Sequence, residues 1–234
     1  MRPWWTLARW GPSPAPRMKL TEEAHLRENE NGHADLLHWR NPSACGPTLG
    51  TLLIRLEAKD PVTAAHSRAV QAIAEVIATE MGVNIGDAGL VHDLGKLDVP
   101  ASLLEKQGPL TGAEFETMKQ HSRHGYRLLH SVSPGLARIV MMIHERPDGT
   151  GYPFGVRQVP VEAGIVAAAD TLHALVADRP YRPRRPFDKA LPLVRAGAGS
   201  QFRPDVMAAL SRCEETVRAV VARVEPAAAI ATIR

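Results

Sequence analysis

The stretch NIGDAGLVHDLGK, Asn84–Lys96, decides the reading of this chain. Ile85, Ala88, Leu90 and Val91 make an almost wholly apolar run, which predicts a buried helix from about Asn84 to Asp93, ended by Gly95. Successive helical residues diverge by about 100°. His92 and Asp93 can therefore reach one centre only where the helix ends and the backbone turns.

Working outward, helical signals recur on both sides. Leu49, Leu52, Leu53 and Leu56 keep helical spacing, and Asp60 with Pro61 supplies an N-cap and a first-turn proline for the next helix. That helix carries Val70, Ile73, Ile77 and Met81 on one stripe and should stop at Gly82. Pro100 opens a short helix, and Thr111 with Glu114 forms a capping box ahead of a helix bearing Phe115, Met118, Leu128 and Leu129. Further helices are expected after Pro134, after Pro160, over Asp188–Arg195 and over Pro204–Val221. Only Val156–Val161 reads as a short extended piece. The expected fold is an all-α, single-domain helical bundle with a metal site between helices and no internal repeats.

At 234 residues and 44% hydrophobic composition, the chain can build one real core. A formal charge of +3 suits an anionic ligand but is too small to argue for duplex nucleic acid. No apolar run reaches the roughly 18 residues of a membrane span. Cys45 and Cys213 lie far apart without metal-ribbon spacing, so they read as free thiols of a reducing compartment, the cytoplasm. Residues 1–47 lack sustained periodicity and read as an irregular, partly disordered extension, with Met18 a candidate start. The domain is then expected over 48–212, followed by a C-terminal helix or tail over 213–234.

His66, His92, Asp93, His121, His144 and Asp170 fall inside apolar runs on five expected helices or their ends. Any one of these histidines alone reads as an ordinary core residue. Burying them jointly with two carboxylates is costly unless they pair or hold a cation. Histidine and carboxylate donors without thiolates suit Fe or Mn at least as well as Zn. Fe or Mn is favoured.

The strings TAAHSR, LVHDLGKLDVP, LEKQGPLTGAEFETMKQHSRHGYRLL, HERPDGTGYP, VAAADTLHALVADRPYR and SQFRPDV resemble, in this order, the successive blocks of HD-GYP domains, a branch of the HD phosphohydrolases. The likeness runs from Leu49 to about Leu210. It implies a helical bundle with a two- or three-metal site, read here as two divalent ions, that hydrolyses cyclic di-GMP to pGpG, and in many members onward to GMP, through a metal-bridging hydroxide. On that likeness His66, His92, Asp93 and Asp170 match ligands of a first ion, with Asp93 bridging to a second that His121 and His144 complete. Lys96 matches a phosphate contact, and Arg179 and Arg182 match cations that hold the dinucleotide. Tyr152, in the loop after His144, is expected at the substrate entrance.

The chain departs from the family where two adjacent histidines precede a glutamate, because it reads Ile143, His144, Glu145. The second ion is therefore expected to lack one ligand. His124 is a candidate substitute. Val62, one turn before His66, offers no carboxylate for a third ion, and His173 could face the site or simply pack. Two other readings stay open on the residues: a weakened domain that serves as a cyclic dinucleotide receptor or protein-interaction module, and an HD nucleotidase acting on mononucleotides. Regulation is expected to be external or absent, and a signalling protein or a second copy of the chain is the expected kind of protein partner.

Overall fold

Asp60 and Pro61 begin the central helix in the way their order predicts. The Asp60 carboxylate accepts the Thr63 backbone N–H at 2.9 Å, and the helix ends at Gly82 in the left-handed region, φ 65°. In the computed structural model, which describes residues 47–178 and 183–231, this is α2 (Pro61–Met81), preceded by α1 (Leu49–Lys59). There follow α3 (Ala88–Val91), a 3₁₀ turn (Leu94–Asp98), α4 (Ala101–Leu104), α5 (Gly112–Lys119), α6 (His121–His130) and α7 (Pro134–Met142). The order closes with α8 (Val161–Val176), α9 (Phe187–Arg195), α10 (Pro204–Arg212) and α11 (Glu214–Ala231). The architecture is all-α, and among the described residues a lone bridge between Ala198 and Phe202 is the nearest approach to a strand. The extended piece expected at Val156–Val161 forms no strand.

α2 packs against α1, α3, α8, α10 and α11, burying Val70, Ile73, Ala74 and Ile77 completely. α8 is buried along most of its length, with Ile165, Leu172 and Leu175 fully enclosed. At about 1.5 to 3 kcal/mol for each large apolar side chain, these two helices are the frame on which polar groups can be held inside. α11 adds Val217, Val220 and Val221 to the buried surface against α2. No helix among the described residues is long and apolar enough to cross a membrane.

Three expected helices differ in extent. The helix expected from Asn84 is only the four residues Ala88–Val91, because the Asn84 side chain accepts the Gly86 N–H at 2.9 Å and Gly86 takes φ 51°. This local turn competes with helix formation. The single helix expected around Phe115 and Leu129 is two, α5 and α6, divided at Gln120. There the imidazole of His121 reaches the Met118 carbonyl at 2.7 Å, beside the Gln120 N–H that caps α5 on the same oxygen. The run Pro204–Val221 likewise divides at Cys213, whose φ −100° and ψ 17° leave the helical region.

Candidate metal centre

Gly95 does not stop a helix as expected. It allows contact between helices. A Cβ built there would lie 1.8 Å from the His121 carbonyl oxygen and 2.4 Å from the Gly125 nitrogen. The 3₁₀ turn is thereby laid on the backbone of α6, which brings Asp93 beside His121. Lys59, at the end of α1, steadies the same turn by donating from Nζ to the carbonyls of Leu97 and Val99, both at 2.7 Å. α7 then lies across Gly125, whose missing Cβ leaves room for Val140. His144 follows α7 with only Ile143 between, and Asp170 projects from the middle of α8.

These elements bring all six expected donors together. Nε2 of His66 is 2.9 Å from Oδ1 of Asp170, and Nε2 of His92 is 3.9 Å from the same oxygen. One donor atom from each of His66, His92 and Asp170 lies within 4.8 Å of the other two. On the other side of Asp93, its Oδ1 is 3.7 Å from Nε2 of His121, which is 3.0 Å from Nε2 of His144. Asp93 lies between the two sets, with Oδ2 3.3 Å from Nε2 of His92.

The donor chemistry fits a cation. His92 donates its Nδ1–H to the Gly89 carbonyl at 2.8 Å, so its Nε2 presents a lone pair that is buried and has no hydrogen-bond partner. That lone pair faces the carboxylates of Asp93 and Asp170. Such acceptors are costly to gather in a dry interior unless a proton, an ammonium or a metal ion answers them. His121 repeats the pattern by donating Nδ1–H to Met118.

Metal-binding imidazoles must be neutral and carboxylates ionised, and five of the six donors shift in that direction. Burial pushes His66 down to about 4 and His144 down to about 3, and it lowers His121 despite the Asp93 charge. His92 differs. Burial opposes its charged form, but the Asp93 carboxylate beside it outweighs burial and raises its pKa. Burial works against ionised Asp93 and Asp170 too, yet Lys96 and His92 hold the first well below the carboxylate range, and His66 holds the second there.

Lys96 pairs with Asp93, Nζ to Oδ2 at 2.6 Å, and its side chain remains 22% exposed. Tyr152 is half-buried and stacks on His144, ring centroids 4.7 Å apart and planes 22° apart. His173 is buried against the site, with its Nδ1 2.7 Å from Nδ1 of His66, so that one ring donates and the other accepts. Ile143 is 2% exposed and belongs to the core. His124 turns toward Asp98, 4.0 Å away, and Val62 is exposed to solvent. Arg179 and Arg182 lie outside the described residues.

Glu145, which no spacing in the sequence singles out, holds the loop beside the donor cluster. Its buried carboxylate accepts backbone N–H groups of Phe154, Gly155 and Val156 at 2.6, 3.2 and 2.9 Å, and so folds the loop that carries Tyr152 back onto His144. Gly151 makes the fold possible, because a Cβ there would lie 2.5 Å from the His144 carbonyl. The signal available in the sequence was a glutamate adjoining a ligand histidine and a glycine-rich loop.

Residues 53–206 match the family described as HD domain. The chain is 38% identical over 179 residues to a cyclic di-GMP phosphodiesterase of Thermotoga maritima, covering 71% of this chain and 49% of that protein. It is 36% identical over 167 residues to a 3'3'-cGAMP-specific phosphodiesterase of Vibrio cholerae, covering 67% of this chain and 36% of the relative. The chain thus spans half or less of these relatives. Among solved structures, the HD domain of the L. monocytogenes phosphodiesterase PgpH superposes with a TM-score of 0.54 at 16% identity, over 74% of this chain and 96% of that domain. That likeness concerns the fold.

Proposed function

We propose, from the premise that this chain belongs to the HD-domain family and to its HD-GYP type, that it is a metal-dependent phosphodiesterase cleaving a cyclic dinucleotide such as cyclic di-GMP. The observation that carries this reading is the convergence of His66, His92 and Asp170 within 4.8 Å, beside the Asp93 carboxylate. Relatives covering most of this chain are phosphodiesterases of cyclic di-GMP and 3'3'-cGAMP.

His66, His92 and Asp170 would hold one divalent ion, and His121 and His144 a second, with Asp93 between them. Fe or Mn is favoured over Zn by the thiolate-free donor set. Such ions supply water of lowered pKa and a Lewis acid for the phosphoryl oxygens.

The remaining work belongs to side chains. Lys96, partly exposed beside Asp93, is available to an anionic phosphate arriving from solvent and would offset charge that develops there. Its point charge suits a phosphate oxygen. His173 orients the ring of His66 through its 2.7 Å contact, in the way outer partners set ligand geometry. Tyr152, held over His144 by the Glu145-anchored loop, walls the site and keeps bulk water from one side. Arg179 and Arg182 are proposed as further contacts to the dinucleotide.

Elemental analysis of protein purified without added metal, coupled to chromatographic assay of cyclic di-GMP and 3'3'-cGAMP hydrolysis with Fe(II), Mn(II) and Zn(II), tests the proposal. Linear pGpG is the expected product from cyclic di-GMP. Binding of the dinucleotide without cleavage under every metal would replace the enzyme by a receptor.

A further inference from the structure

Beyond the donor cluster, a second cation is held one aromatic layer away. Tyr152 covers His144 with one face and meets His121 edge-on, ring centroids 6.4 Å apart. Phe115 approaches Tyr152 at 6.3 Å with planes 81° apart. The ammonium of Lys119 lies 5.0 Å from the Phe115 ring centre and 5.7 Å from that of Tyr152. Lys119 ends α5, and only Gln120 separates it from His121. Its position relative to the imidazoles is therefore set by a short, ordered piece of backbone.

The pairing of Lys119 leaves its charge available. Its ion-pair partner is Glu116, Nζ to Oε1 at 2.6 Å, and that carboxylate is 67% exposed while the lysine side chain is 25% exposed. An exposed pair within one helical turn is weak and screened by salt. Cation–ring attraction to Phe115 and Tyr152 pre-places its ammonium head. A phosphate oxygen can replace the glutamate with little loss.

A cyclic dinucleotide carries two phosphodiesters in one closed ring. When one lies at the donor cluster beside Lys96, the other is a second full negative charge that needs its own partner. We propose that Lys119, supported by Phe115 and Tyr152, binds the second, uncleaved phosphate and makes the site prefer a two-phosphate ring over a simple diester. The inference rests on the phosphodiesterase reading above. Arg123, in the first turn of α6, extends the positive edge, with its guanidinium 5.8 Å from the Phe154 ring centre.

The test compares wild type with Lys119→Met, which keeps the stem and removes the charge, on cyclic di-GMP and on bis(p-nitrophenyl) phosphate, a diester with one phosphate. Loss of one charge-assisted contact should raise KM for cyclic di-GMP about ten-fold, with kcat and the single-phosphate kinetics unchanged. The difference should shrink as salt is raised, and Lys119→Arg should restore KM. An unchanged KM for the dinucleotide, or an equal loss on both substrates, overturns the assignment. If wild type cleaves neither substrate, the phosphodiesterase reading itself fails. The lysine contact is then judged by calorimetric binding of cyclic di-GMP, where equal affinities of wild type and Lys119→Met reject it.

Discussion

Nε2 of His121 lies 3.0 Å from Nε2 of His144, and the first of these atoms carries a lone pair because the other nitrogen of His121 is committed to the Met118 carbonyl. The imidazole pair is incomplete without a proton or a cation near it. Asp93, 3.7 Å from His121, supplies the negative charge such a cation would answer.

Metal binding should stabilise the fold. At one hundred times its Kd, an ion that binds only the native state adds about 2.7 kcal/mol, or about 5 to 10 °C for a domain of this size. Scanning calorimetry across a Mn(II) titration, with a chelator control, measures it. A midpoint indifferent to both would remove the metal centre.

Ile143→His should tighten the weaker of the two ions. Ile143 is buried beside His144, and an added neutral imidazole can enlarge the donor set. The substitution costs about 1 to 3 kcal/mol in metal-free protein if the ring finds no partner. Competition with a graded series of chelators, read with the thermal midpoint, should give a lower Kd for the second ion. Equal or weaker binding would argue that position 143 serves the core alone.

Asp93→Ala and Lys96→Ala should separate two roles. The carboxylate lies between both donor sets, so its loss should cost at least one ion and abolish cleavage. Lys96→Ala should keep the metal content and lower turnover by roughly ten-fold or more, because it removes one phosphate contact. Metal loss in the lysine variant would reject the division.

Glu145→Gln should loosen the loop over His144. One amide oxygen cannot replace a carboxylate that accepts from three backbone N–H groups, and the unsatisfied donors should cost about 2 to 4 kcal/mol. Urea denaturation gives the energy. Hydrogen exchange at Phe154–Val156 should accelerate, and protection equal to wild type would show that the carboxylate is dispensable.

Gly95→Ala should be among the most damaging single-methyl changes in the chain. The added carbon meets the His121 carbonyl at 1.8 Å, and this backbone cannot move without separating Asp93 from His121. A loss of about 3 kcal/mol or more is expected, read as a lowered unfolding midpoint. Wild-type stability would mean the 3₁₀ turn shifts freely over α6.

Much of this was legible in the sequence because it is local. The caps at Asp60 and Thr111 and the stop at Gly82 depend on hydrogen bonds within a few residues and on glycine's access to positive φ. The all-helical class follows from apolar periodicity, and the six donors announced themselves by polar chemistry inside apolar runs. The tertiary structure decided the rest. His66 and Asp170 are 104 residues apart, and His121 and His144 are 23 apart. Their meeting depends on α2 and α8 packing face to face and on two glycines that let the 3₁₀ turn, α6 and α7 approach. The backbone donors to Glu145 and the aromatic seat of Lys119 were hidden for the same reason: a side chain's partners across a fold are set by packing, which no local pattern encodes.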